Sequence, residues 1–418
     1  MAALIEASVS AEINELIEAL KENPIFHMSL ASRELFHSNF LAWLGERHLP
    51  ALLNGLLHDS DSPTKWDSAT IKGPVRREKH NIDLLMEFTH AGHACLLAVE
   101  VKVKDVLRRP QLAGYDEAIK KFVEGPKKKV EGTRKKVEFA PILYKVALTL
   151  TEPVGDFGDW KVVTFQELSE RLLSIDSSLN GDNEDFLRYY REFIRDLSRL
   201  TTKVAEVSTA GFTELAPFKR SFFPDKKIEE KIEDGLRLHS TFGKLLVTKL
   251  AHSLGVEATQ SDDLKQFKDF FSDAAEYDGD QIFMTASGGF ERVNGFTSIS
   301  INKWLPAKAR AKKALLSVGV MLQGGSYRLI ITHPSFDFER GPASDEARRE
   351  KMYACVETVQ CKGWLQCEGK ESLKGYAPKY IYTAQDIPID RESLGTKIIG
   401  DLTRALRYVE KEVQRQSG

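Results

Sequence analysis

The sequence predicts an α/β fold, a mixed sheet flanked by helices, followed by a second unit of α+β type. Two observations carry that expectation. Ahead of residue 206, segments of helical and strand period succeed one another as helix, helix, strand, strand, helix, strand, strand, helix. Beyond 207–226 (VSTAGFTELAPFKRSFFPDK), which has no clear period, the pattern changes to a helix, a meander of strands and further helices. A chain of 418 residues exceeds one ordinary core and implies two or three domains. The boundaries that follow are 1–206, a linker at 207–226, and 227–418.

Residues 9–21 read as an amphipathic helix with Ser10 as N-cap. The segment 31–45 (ASRELFHSNFLAWLG) places Leu35, Phe36, Phe40, Leu41, Trp43 and Leu44 at helical spacing, with Gly45 as a stop. A polar, turn-rich loop covers 58–68. A hairpin follows, 82–88 and 95–104, joined by Thr89, His90, Ala91, Gly92 and His93. Pro110 suits the first turn of a helix running to about Val123. Strands are expected over 142–150 and 161–164, then a helix over 165–173 capped by Thr164 and a long helix over 183–205. In the second unit a helix at 228–254 precedes strands near 281–286, 297–302, 314–322 and 326–333. A helix around 344–359, a strand near 379–383 and a charged helix over 393–414 complete it. Gly288-Gly289 and Gly324-Gly325 fit hairpin turns, and this half carries no chemical motif.

Composition is that of a globular chain, 42% apolar and 29% charged, which excludes a wholly disordered protein. No run approaches the roughly 18 apolar residues of a membrane span, and the N-terminus lacks the pattern of a secretory signal. Four cysteines, Cys95, Cys355, Cys361 and Cys367, suit a reducing, cytoplasmic compartment. The last three are six apart, which matches no common zinc spacing, so ordinary thiols are expected. The net charge of −2 gives no sign of nucleic-acid binding by the whole chain. Between Ile71 and Lys136, however, 16 Lys or Arg stand against 9 Asp or Glu. They gather at Arg76, Arg77 and Lys79, at Arg108 and Arg109, and in 126–136 (PKKKVEGTRKK). A basic rim of that kind suits a phosphate backbone, although Lys127–Lys129 alone reads equally well as a solvated loop.

The hairpin runs carry three charges where an apolar strand should have none. Asp83 opens the first run, and Glu100 and Lys102, two apart, share a face of the second. Charges in such runs are costly unless they pair or hold a metal. Two carboxylates on paired strands can hold Mg²⁺ with several waters left in its shell, with a Val101 carbonyl to complete it. Lys102, beside Glu100, would orient a water or offset developing charge. The chemistry implied is metal-assisted hydrolysis of a phosphodiester.

With these residues the chain resembles the PD-(D/E)XK nucleases. Ile82-Asp83 stands for the first acidic motif, without its nominal proline, and Glu100-Val101-Lys102 for the E-x-K. The likeness covers about residues 28–200. It implies a restriction-endonuclease-like α/β sandwich using Mg²⁺ or Mn²⁺. It also implies that Glu34, on the helix before the hairpin, adds a carboxylate to the metal shell. Gln111 and Tyr115, a Q-x-x-x-Y pair one helical turn apart, would line the site near the scissile phosphate. His37, three after Glu34, is expected in the core rather than on the metal. Ser38 and Asn39 are read as helix caps or staples, Asn81 and His80 as candidate phosphate contacts, and Glu87 as strand-end charge. The aromatic and basic stretch 212–223 reads as packed linker before nucleic-acid grip.

The leading expectation is an endonuclease on double-stranded DNA, and the resemblance adds a link to prokaryotic defence. Two alternatives stand beside it: a catalytically silent nucleic-acid- or partner-binding protein of the same fold, and an RNA-directed nuclease. The second half would recognise a target, regulate, or dimerise the enzyme, because two-strand cleavage calls for two sites in a homodimer or larger assembly.

Overall fold

The computed structural model describes residues 2–30, 33–58, 66–79, 81–103, 107, 109–124, 141–153, 157–173, 182–210, 227, 230–268, 270–291, 294–306, 313–323, 325–336, 346–367, 372–376, 380–386 and 391–417. The chain divides into two compact units, Met1–Val207 with Asp225–Phe242 and Ser208–Pro224 with Gly243–Gly418.

The first unit opens with helices α1 (Ala2–Glu22), α2 (Pro24–Met28), α3 (Glu34–Arg47) and α4 (Leu49–Leu57). Strands β1 (Thr70–Ile71), β2 (Arg76–Lys79), β3 (Ile82–His90) and β4 (His93–Lys102) follow, then α5 (Arg109–Glu124), β5 (Ile142–Thr149), β6 (Lys161–Thr164), α6 (Phe165–Leu173) and α7 (Asp182–Ala210). The sheet runs β1-β3-β4-β5-β6, with β2 also pairing β3. β3 and β4 are antiparallel, whereas β4, β5 and β6 are parallel, so the sheet is mixed. The connection between parallel β4 and β5 passes through α5, the crossover such a pair requires.

Alternation along the hairpin puts a helix on each face. Leu96 and Ala98 of β4 pack with Leu112, Tyr115 and Ile119 of α5. Leu97, Val99 and Val101, all fully buried, point to the other face, as does Met86 opposite Leu97. There α3 comes so close that a Cβ on Gly45 would overlap the Met86 methyl. Gly45 therefore marks a close approach rather than a stop, and α3 continues to Arg47. Phe40 of α3 stacks on Tyr190 of α7 at 3.6 Å between ring centroids, which ties the long helix to the same layer.

Several expectations are corrected. α1 begins at Ala2, so Ser10 lies inside the helix and is not its cap. α4 (LPALLNGLL) and the short strands β1 and β2 were not legible from period. Thr164 does cap α6: its Oγ1 accepts the Glu167 N–H at 3.1 Å while Glu167 Oε2 accepts the Thr164 N–H at 2.6 Å, a capping box. The single helix expected over 228–254 is broken into a π-helical turn, Lys231–Leu236, and a helix α8, His239–Thr259. Arg237, at φ 54°, ends the first piece. Lys231 Nζ donates to Asn14 Oδ1 at 2.8 Å and lies 3.3 Å from Glu18 Oε1, both on α1, so 225–242 belongs with the first unit.

The second unit holds the antiparallel strands β7 (Phe283–Glu291), β8 (Asn294–Pro306), β9 (Lys313–Gln323) and β10 (Ser326–Thr332) as a meander. Helices α9 (Glu346–Thr358) and α10 (Lys362–Leu365), strands β11 (Lys374–Tyr376) and β12 (Tyr380–Asp386), and helix α11 (Arg391–Ser417) complete it. Side chains of α8, α9, α10 and α11 share one core with the sheet. Gly288 and Gly289 are not a turn; they pair with Thr297 and Phe296 within β7. A Cβ on Gly288 would overlap the Val247 backbone of α8, and one on Gly289 would press into the Phe296 ring. The turn between β9 and β10 uses Gly325 at φ 80°. Among the described residues, no helix is long and apolar enough to cross a membrane.

Candidate active site

The hairpin stops pairing where its charges begin. Its last pair at this end is Leu84 with Val99, so Asp83 falls opposite Glu100. From there, carboxylates take the place of strand partners along β4. The Val101 N–H donates to Asp83 Oδ2 at 2.7 Å, and the Val103 N–H donates to Glu34 Oε1 at 3.1 Å. Val101 and Val103 are fully buried, and an unpaired amide at such depth costs about 1–3 kcal/mol. Alternate amides of a strand face the same edge. Asp83 of β3 and Glu34, the first residue of α3, are thus brought to one edge of one strand.

Glu100 is 1% exposed, and its two oxygens are used very differently. Oε1 lies 2.6 Å from Lys102 Nζ and accepts the Tyr115 hydroxyl at 2.9 Å and the Gln111 amide at 3.3 Å. Gln111 Nε2 also donates to Tyr115 Oη at 2.6 Å, so the α5 pair forms one unit. Oε2 is buried and accepts no hydrogen bond.

Burial sets the electrostatics. It pushes Asp83 from an ordinary 3.8 up to about 7, and the neighbouring Glu100 charge adds to the rise. Burial also raises Glu100, against the pull of Lys102, and Glu34 adds repulsion. For Lys102, burial opposes the charge, yet attraction to Glu100 prevails and holds the pKa above its usual value. Burial, followed by Glu100, moves Tyr115 to about 12. The ammonium therefore stays charged, while the carboxylates stay ionised only at a cost that a cation would relieve.

Asp83, Glu100 through Oε2, and Glu34 are the residues that fit a divalent ion. The test is the orphaned Oε2: a buried carboxylate oxygen without a donor has the chemistry a hard cation takes. Among the described residues, no three His, Cys, Asp or Glu side chains converge into a ready metal cluster. Mg²⁺, which keeps most of its waters, needs one or two carboxylates and no cage.

Of the residues expected at the site, Glu100, Lys102, Gln111 and Tyr115 are joined by direct contacts, while Asp83 meets the Val101 amide and Glu34 the Val103 amide of the same stretch of chain. His37 is in the core, fully buried, its Nδ1 3.0 Å from the Tyr190 hydroxyl and its ring stacked on Phe193. The Ser38 hydroxyl donates back to the Leu35 carbonyl at 3.1 Å, and Asn39 accepts from Arg77. Glu87 pairs with Arg76 at 3.3 Å. Among the described residues, Cys95, Cys355, Cys361 and Cys367 form no disulfide. His80, Arg108, the 126–136 loop and the stretch 212–223 lie outside the described residues.

Reasoning from spacing missed what anchors α5. Asp116, next to Tyr115, accepts from Lys145 of β5 at 2.9 Å and from the Trp160 indole at 3.1 Å. The available signal was a lysine in an otherwise apolar strand run, which needs a carboxylate within reach. No profile of a known protein family matches the sequence, and comparison with curated proteins and with solved structures finds no match either.

Proposed function

We propose that the chain is a divalent-metal-dependent nuclease of PD-(D/E)XK type, its first unit restriction-endonuclease-like, that hydrolyses phosphodiester bonds in double-stranded DNA. The split use of the Glu100 carboxylate carries this reading: three donors fix Oε1, and Oε2 is left buried and without a donor. A buried carboxylate oxygen without a donor is costly in a purely structural site, and a bound cation would relieve that cost.

Asp83, Glu100 and Glu34 would hold Mg²⁺ or Mn²⁺. Such an ion polarises the phosphate and makes water a stronger nucleophile at neutral pH. Lys102 keeps its positive charge, pairs with Glu100 at 2.6 Å, and offsets the negative charge that develops on the phosphate. Tyr115 and Gln111 spend their polar atoms on Glu100, which makes them positioning residues that hold the carboxylate in one orientation. The second unit would supply target recognition, regulation or the contact of a homodimer.

The test is incubation of the purified full chain with supercoiled plasmid in Mg²⁺ or Mn²⁺, beside Asp83→Ala and Lys102→Ala. Nicking or linearisation by wild type, reduced about 10²-fold or more in both variants, is expected. Equal nicking by all three would overturn the site. No cleavage by wild type of either DNA or RNA would overturn the nuclease reading.

A further inference from the structure

On the α5 face of the hairpin, toward the Cys95–Leu96 end of β4, lies an open groove of about 600 Å³. That falls in the range of small-ligand sites, about 300–1,000 Å³. Its rim is cationic: Lys72, Arg76, Lys79 and Lys121 line it. Glu87 is the one acid in the lining, and it is paired with Arg76 at 3.3 Å. Among the described residues, no carboxylate pairs the Lys72 or Lys79 ammonium. The floor is apolar, built from Leu96, Phe122, Val123 and Pro141. Across it the Arg76 guanidinium lies over the Phe122 ring at 4.8 Å, a flat cationic plane backed by an aromatic ring.

The Lys79 end of the groove lies toward Asp83. Lys79 pairs across the strands with Ile82, the residue before Asp83. Leu96 lies on the same face of β4 as Glu100, roughly 13 Å before it at the rise of a strand.

We infer that this groove binds an unpaired nucleic-acid strand, phosphates on the lysine rim and bases against the Arg76–Phe122 plane and apolar floor. The inference rests on the nuclease reading for its purpose, since the bound strand would be one opened from the duplex next to the place where Asp83 and Glu100 act. Charge complementarity selects a polyanion. The apolar floor selects one with exposed bases, because a duplex keeps its bases stacked inside and offers such a floor nothing. Bases stack on aromatic rings and on guanidinium planes, and these contacts tolerate any sequence.

The experiment is fluorescence anisotropy of the full chain in EDTA. Labelled oligo(dT), oligo(rU) and a blunt DNA duplex of the same length are the probes. The variants are the triple Lys72→Ala/Lys79→Ala/Lys121→Ala, at three exposed positions where alanine leaves the fold intact, and Phe122→Leu. Wild type is expected to bind one or both single strands about 10-fold tighter than the duplex. The triple variant should lose about 10-fold or more, and its salt slope should fall by about 2, as three lost phosphate contacts require. Phe122→Leu should weaken binding about 5-fold or more. Triple-variant binding equal to wild type, tighter duplex binding, or binding of no probe overturns the inference. Strand binding that depends on the lysines, with no cleavage in Mg²⁺ or Mn²⁺, removes the nuclease reading and leaves the groove. Plasmid cleavage with wild-type binding by the triple variant removes the groove and leaves the nuclease.

Discussion

Asp83 takes the Val101 amide of the neighbouring strand at 2.7 Å, at the point where β3 and β4 cease to pair. A carboxylate thus stands in for a strand carbonyl. It costs the apo protein stability, because burial and the Glu100 charge raise its pKa from 3.8 to about 7. The folded state holds that proton more tightly than the unfolded chain. The resulting stability is fully present below about pH 4 and is lost as pH rises through about 7. In EDTA, the thermal midpoint of Asp83→Asn should therefore gain on wild type between these limits and keep a constant lead above them. A difference that stays flat from pH 4 to 8 would show that Asp83 titrates normally.

Divalent ions should reverse that balance. Mn²⁺ at pH 8 is expected to raise the wild-type midpoint in a concentration-dependent way and to leave Asp83→Asn nearly unmoved, since binding to the folded state alone adds stability by mass action. Differential scanning fluorimetry across a Mn²⁺ series reads this directly.

Tyr115→Phe and Gln111→Leu should act through Glu100. Each removes a donor from Oε1 and frees the carboxylate to turn. The expected result is a 10- to 100-fold weaker apparent metal affinity for either variant, the usual effect of losing a residue that orients a ligand. Metal-dependence curves of cleavage measure it. A loss of maximal rate at unchanged metal dependence would instead place these residues on the substrate.

The hairpin and the helices on either side of it were legible because each depends on spacing along one element, while Glu34, Gln111 and Tyr115 were singled out by the resemblance. Asp83, Glu100 and Lys102 stand out as charges in apolar runs, and the period of 2 gives their shared face. Short-range chemistry was legible too, as in the Thr164–Glu167 capping box. Whatever depends on a neighbouring element was hidden. Gly45 and Gly288 look like punctuation in sequence, yet each meets another layer, the Met86 side chain in one case and the unyielding Val247 backbone in the other. β2 reads as a run of charges because its residues from Arg77 onward are exposed. The unequal loading of the two Glu100 oxygens follows from side-chain directions that no spacing encodes.

Gly288 gives a test of the second unit by itself. Gly288→Ala should destabilise that unit by about 1–3 kcal/mol, because the obstruction is backbone and cannot turn aside as a side chain can. Urea denaturation followed by tryptophan fluorescence measures it. A neutral effect would mean that α8 yields at Val247.

The most direct measurement is the rate of plasmid nicking by wild type, Glu100→Gln and Asp83→Asn across a Mg²⁺ series with an EDTA control. Wild type should nick only with metal, and each variant, nearly isosteric and still able to accept the same hydrogen bonds, should be slower by about 10²-fold or more. Nicking that persists in EDTA, or that survives undiminished in both variants, would contradict a metal-dependent site built on these two carboxylates.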